Sequence, residues 1–132
     1  RLFFSYGKGF AFEINNGKKV SLNCKKINSS EIIGLENSGT TPSEIIDIYK
    51  KYKVSQMLKM SSSLKFCVLA AGEADIYAAN ARAYEWDIAA GHAILEHAGG
   101  FMTTHEEKKF FYGKDKYKNL PIVAKRAMSL EK

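Results

Sequence analysis

Cysteine is scarce in this 132-residue chain: Cys24 and Cys67 are too few for a disulfide framework. Cys67 falls in an apolar helical stretch where a buried free thiol is expected, which fits a reducing cytoplasm. Long hydrophobic runs are missing too. The longest, Phe66 to Ala71, is far short of the roughly 20 residues that a membrane-spanning helix needs, so no transmembrane segment is expected. The Arg1 end lacks the basic-then-apolar pattern of a secretory leader. The expected location is the cytoplasm, with peripheral association at the inner membrane as the alternative. Without a leader, the glycosylation sequon Asn28-Ser29-Ser30 reads as chance. There is no internal repeat, no low-complexity linker and no initiator Met, so a fragment, a processed product or a truncated gene product is expected. His92 and His97 are five apart and do not share a helix face, which excludes a zinc pair.

The remaining composition suits one globular domain, with 45% hydrophobic residues for a core of ordinary size. Net charge is +6, from 20 Lys and Arg against 14 Asp and Glu, a balance that favours anionic partners. The lysines are dispersed, however. Lys18, Lys19, Lys25, Lys26, Lys50, Lys51 and Lys53 fall on different elements, and Lys114, Lys116 and Lys118 alternate with Asp115 and Tyr117. With no nucleic-acid-binding motif, they read as a solvated face, and no nucleic acid polymer is expected as a partner.

Period-two apolar patches at Leu2 to Phe4, Phe10 to Ile14 and Val20 to Leu22 predict an N-terminal antiparallel meander, with tight turns at Gly7, Gly9 and Asn15-Asn16-Gly17. After Ile32–Leu35, read as a buried strand, Thr41-Pro42-Ser43-Glu44 predicts a capping box. A helix should follow to about Lys51, with Ile45, Ile46, Ile48 and Tyr49 on its apolar face. Val54 to Leu58 is a further strand, and Ser61-Ser62-Ser63 should cap a helix over Leu64–Ala71 that stops at Gly72. Asp75–Tyr77, Gly100–Thr103, Lys108–Phe111 and Pro121–Ala124 complete the strands. Strands alternating with helices after residue 30 predict an α/β layer with a mixed sheet.

Residues 86 to 100 are the most informative stretch. Apolar or neutral side chains at Trp86, Ala89, Ala90, Ala93, Ile94, His97 and Ala98 predict one buried helical face, ended by Gly99 and Gly100. Asp87 lies in the first turn, where a carboxylate can either cap unpartnered N–H groups or face a ligand. Ser62 marks a second helix start, with Lys65 one turn in. A helix N-terminus beside a lysine suits a phosphate, while a plain serine cap and a solvent lysine is the simpler alternative.

The string W-D-x-A-A-G-x-x-I-x-x-x-A-G-G resembles the C-terminal motif of the inositol monophosphatase superfamily, magnesium-dependent phosphatases in which this Asp is a metal ligand. Residues 62 to 77, from Ser62-Ser63-Leu64-Lys65-Phe66-Cys67 to Ala74-Asp75-Ile76-Tyr77, are similar to a segment of the bacterial 3'(2'),5'-bisphosphate nucleotidases. Phe111–Lys114 and Lys118–Ala124 resemble the closing pieces of the same branch. The resemblance runs from about Leu2 to Ala124 and covers the C-terminal half of such enzymes. It implies the C-terminal layer of a sugar-phosphatase-like αβαβα sandwich, with residues 1–132 as a single domain.

The resemblance also implies roles. Asp87 would be a Mg2+ ligand at the substrate site, and Ser62 and Lys65 would bind a bisphosphorylated nucleotide, with Ser63 close by. The implied reaction removes the 3'-phosphate of adenosine 3',5'-bisphosphate to leave AMP. The upstream Glu-Glu and Asp-Pro-x-Asp-Gly-Ser/Thr segments that hold most of the metal in the family are not present, so the chain alone is expected to be inactive. A separate N-terminal half or a homo-oligomer is the expected protein partner. Two positions depart from the pattern: Gly39 stands where the nucleotidases carry a substrate-contacting His, and Ala79 where they carry a phosphate-binding Arg. Arg82, in the same loop, is the candidate replacement. The alternatives are an inositol monophosphatase, which Lys65 disfavours, and a non-catalytic nucleotide-binding remnant.

Overall fold

A computed structural model describes residues 1–25 and 29–131. Lys26 and the Asn28 of the sequon lie outside the described residues. The meander forms as β1 (Leu2–Gly7), β2 (Phe10–Asn15) and β3 (Lys18–Ser21), paired antiparallel in that order. Asn16 and Gly17 join β2 to β3 with φ of 48° and 75°, the two left-handed residues of the hairpin turn whose twist matches its strands.

The second sheet has five strands in the order β5-β4-β6-β8-β7, formed by β4 (Ile33–Glu36), β5 (Gln56–Lys59), β6 (Ile76–Ala79), β7 (Phe101–Thr104) and β8 (Ile122–Lys125). β4 runs parallel to β5 and β6, while β8 is antiparallel to β6 and β7, so the sheet is mixed as expected. Alternation splits its faces. Ile76, Ala78 and Val123 pack with Ile45 and Tyr49 of α1 (Ser43–Lys51). Tyr77, Ala79, Ile122 and Ala124 share the larger core with α2 (Leu64–Ala70) and α3 (Glu85–His97). α3 also packs on β1 and β2, so α2 and α3 form a helix layer between the two sheets.

Several expectations need correcting. The capping box at Thr41 is not formed: the Thr41 hydroxyl donates to Glu36, and Pro42 precedes the helix without a side-chain cap. Ile46, expected on the buried face, is exposed. Ser63 precedes α2 but does not cap it; Ser62 Oγ accepts the Leu64 N–H at 3.3 Å instead. Lys108–Phe111 is not a strand. Only Lys109 bridges to Thr103, because Phe110 turns inward against His92 and Tyr112.

The largest correction concerns α3, which is rotated relative to the expected face. Trp86, Ala89 and Ala90 are exposed, while Ile88, Gly91, His92 and Leu95 are buried together with Ile94 and Ala98. Gly91 explains the rotation. A Cβ there would lie 2.8 and 2.9 Å from Cδ2 and Cβ of Phe66, so glycine is what lets α2 and α3 touch along this side.

Candidate active site

Asp87 occupies the third position of α3, and its Oδ2 accepts the Tyr84 N–H at 2.9 Å. It therefore caps the helix from inside the first turn, as the capping alternative anticipated. The other carboxylate oxygen has no protein partner among the described residues and the side chain is exposed. α3 fixes the position of this oxygen.

Across the helix layer, Lys65 is buried rather than solvent-facing. Its Nζ donates to Met60 O at 2.9 Å and to Ser62 O at 3.0 Å, and it lies 4.9 Å from the centre of the Tyr77 ring. Two of the three ammonium protons thus hold the turn before α2, where Ser62 has φ +66°. One proton remains for a ligand. Burial, helped by the charge of Arg82, holds the Lys65 pKa below its ordinary value. Burial likewise pushes the Tyr77 phenol upward, against a hydrogen bond with Asn37.

The four residues singled out in the sequence meet in one place. Ser62, Ser63, Lys65 and Asp87 line an open cleft of about 340 Å³, together with Tyr77 and Arg82. A smaller cleft of about 110 Å³ adjoins it and contains Gly39, Ala79 and Arg82. Nothing lies within 4 Å of where a Gly39 Cβ would stand, so the smaller side chain leaves open space. Arg82 lines both clefts, and a third of about 250 Å³.

Sequence reasoning missed two buried acids. Glu85, the first residue of α3, accepts the Gly113 and Lys114 N–H groups at 3.0 and 3.1 Å and the Lys114 ammonium at 2.6 Å. The Lys114 ammonium is the main reason its carboxyl is pulled down to about 2. This clamp fixes residues 113 and 114 beside the start of the helix that carries Asp87. Asp75 accepts the Ile33 N–H at 2.7 Å and pairs with buried Arg126, tying the starts of β4 and β6 to the end of β8. No local signal could reveal either pair, because the partners are 29 and 51 residues apart.

Magnesium takes one or two carboxylates, phosphate oxygens and several waters in octahedral geometry. Asp87 fits as one such ligand. Among the described residues it is the only carboxylate lining the larger cleft, and no group of three His, Cys, Asp or Glu side chains there could hold a metal. His92 and His97 are engaged elsewhere, with Tyr112 and Glu96 and with Ser5 respectively. No helix of the described residues is long and apolar enough to cross a membrane.

Known proteins share this fold and parts of this sequence. The 3'(2'),5'-bisphosphate nucleotidase CysQ of Buchnera aphidicola is 45% identical over 83 residues, which cover 61% of this chain and 31% of that one. CysQ of Salmonella typhimurium is 35% identical over 72 residues, 54% of this chain and 29% of its own. The crystal structure of CysQ from Bacteroides thetaiotaomicron superposes with a TM-score of 0.65 at 29% identity, covering 76% of this chain and 39% of that one. The chain therefore spans about a third of the length of the curated nucleotidases it matches. Residues 5–129 match the inositol monophosphatase family, and the chain belongs to that family.

Proposed function

We propose that this chain supplies the C-terminal half-site of a magnesium-dependent 3'(2'),5'-bisphosphate nucleotidase acting on adenosine 3',5'-bisphosphate. One observation carries the reading. A single cleft holds two cationic groups, Lys65 and Arg82, together with one free carboxylate oxygen on Asp87. That mixture suits a phosphate accompanied by a cation better than either alone. Lys65 offers its third proton to a phosphate oxygen, and Arg82 offers a planar fork from the loop that lacks the arginine expected at Ala79. The chemistry that magnesium supplies when bound is neutralisation of phosphoryl charge and lowering of the pKa of a water.

The site needs further carboxylates, which we assign to an N-terminal half. Exposed Leu2, Tyr6 and Phe10 on one face of the meander give that half an apolar surface to cover. The test joins residues 1–132 to the N-terminal half of the Salmonella enzyme and follows phosphate release with magnesium. The isolated chain should be inactive, and the joined protein should hydrolyse adenosine 3',5'-bisphosphate. In it, Lys65→Met should lower kcat/KM for the bisphosphate by roughly 10- to 150-fold, the range of a charge-assisted contact, and far less for inositol 1-phosphate. Equal losses would favour an inositol monophosphatase. A folded but inactive joined protein would favour a non-catalytic remnant, the reading to which Gly39 and Ala79 also lend support.

A further inference from the structure

A cleft of about 750 Å³, larger than those at the candidate site, opens at the other end of α3, between that helix and the meander. It shares no lining residue with the cleft of Lys65 and Asp87. Asp87 is the third residue of α3 and His97 the last, so at 1.5 Å of rise per residue they stand about 15 Å apart along the axis. Backbone hydrogen bonds tie the walls of the cleft together. Gly9, in the turn between β1 and β2, donates its N–H to His97 O at 2.8 Å, and Cys24, beyond β3, donates to Ala98 O at 3.1 Å. His97 Nδ1 also meets Ser5 Oγ of β1 at 2.9 Å. A Cβ added at Gly9 or at Gly99 would meet nothing within 4 Å, so the space between the walls stays open.

Three lysines line this space from three parts of the chain: Lys8 in the β1–β2 turn, Lys25 after β3, and Lys109 in the bridge beside β7. Among the described residues none of the three makes an ion pair, whereas Lys108 pairs with Glu106 and Lys114 with Glu85. The one acid lining the cleft among the described residues, Glu96, is held by His92 Nε2 at 3.0 Å. Lysines near a helix C-terminus ordinarily answer carbonyls left unpaired there. At this end the carbonyls already have partners: Leu95 O accepts the Gly100 N–H, Glu96 O the Gly99 N–H, and Gly9 and Cys24 take the next two. The lysines therefore serve neither a counter-ion in the chain nor the end of α3.

We propose that this cleft is an anion site for a small molecule carrying two or more linked phosphoryl groups. A cleft lined by charge of one sign concentrates the opposite ion, and this one has the size of small-molecule sites, about 300–1,000 Å³. One phosphate monoester brings about 1.5 to 2 negative charges at pH 7, too few to balance three lysines, so the charge count calls for at least two phosphoryl groups. Each ammonium then meets a phosphate oxygen in a charge-assisted hydrogen bond. The site does not depend on the nucleotidase reading.

The 132-residue chain would be titrated by calorimetry with tripolyphosphate, with inorganic phosphate and with a short RNA. The titrations would be repeated on the Lys8→Gln/Lys25→Gln/Lys109→Gln variant and on Lys65→Met. Tripolyphosphate should bind more tightly than inorganic phosphate and should weaken as salt rises. The triple variant should lose at least about 10-fold in affinity at an unchanged melting temperature, and Lys65→Met should retain binding. On the unaltered chain, tripolyphosphate should protect Lys8, Lys25 and Lys109 from amine acetylation, read by mass spectrometry, and leave exposed Lys18 and Lys50 reactive. That reading decides even if the triple variant does not fold. Equal affinity in the triple variant, loss of binding in Lys65→Met, or protection spread evenly over the lysines would overturn the proposal. No binding of tripolyphosphate, or inorganic phosphate binding as tightly, would overturn it too. RNA binding more tightly than tripolyphosphate would overturn the small-molecule site in favour of a nucleic acid backbone.

Discussion

Gly91→Ala should destabilise this protein, although alanine is the better helix former. Gly91 sits inside α3, where exchanging glycine for alanine ordinarily gains about 1 kcal/mol. Here the added methyl would stand 2.8, 2.9 and 3.1 Å from Cδ2, Cβ and Cγ of Phe66, which is 1% exposed. The Cβ of Phe66 cannot swing aside without moving α2, so the overpacking penalty falls in the upper part of its usual range of about 1–3 kcal/mol. The net loss should be about 1–2 kcal/mol, roughly 3–10 °C in Tm for a domain of this size. Urea unfolding should show a lower midpoint with the slope unchanged. Gly39→Ala, where nothing lies within 4 Å, is the control and should be near neutral. Phe66→Leu should relieve part of the Gly91→Ala penalty, giving a coupling of about 0.5 kcal/mol or more. Stabilisation by Gly91→Ala would refute the close contact of α2 and α3 and, with it, the geometry that sets Lys65 opposite Asp87.

Two further perturbations test the scaffold around the site. Asp75→Ala leaves the Arg126 guanidinium buried without its carboxylate and should cost about 3–5 kcal/mol in urea unfolding; a loss below about 1 kcal/mol would mean that the pair is solvated. Burial, opposed by Glu96, holds the His92 pKa below its ordinary 6.5. The unfolded chain then takes up a proton that the folded chain refuses, so stability should fall as pH drops below about 6.5. His92→Gln should flatten that slope, and an unchanged slope would place the titration elsewhere.

The architecture was legible in the sequence because its signals are local. Asn16-Gly17 marks the β2–β3 turn, Gly99 ends α3 with φ +97°, and the order of strands and helices matches the expected mixed layer. The facing of α3 was not legible. Its residues are apolar nearly all round, and alanines at 89, 90 and 93 are equally at home inside and out, so the period selects no side. What selects it is Gly91 against Phe66, a contact between two elements. Phe110 misled for a similar reason: a strand-like run of aromatics is a loop whose course is set by Glu85 and Lys114. Lys65 stood out in the sequence, but its burial and its two carbonyl partners, Met60 and Ser62, could be seen only once the turn before α2 had formed.

The central claim is that Asp87 serves chemistry as well as the cap of its helix, and Asp87→Asn separates the two roles. Asparagine keeps an oxygen for the Tyr84 N–H, so the melting temperature of the protein joined to an N-terminal nucleotidase half should change little. It brings no negative charge to a cation, so magnesium-supported release of phosphate from adenosine 3',5'-bisphosphate should be lost. Full turnover in that variant, with unchanged magnesium dependence, would contradict the account and leave Asp87 as a helix cap alone.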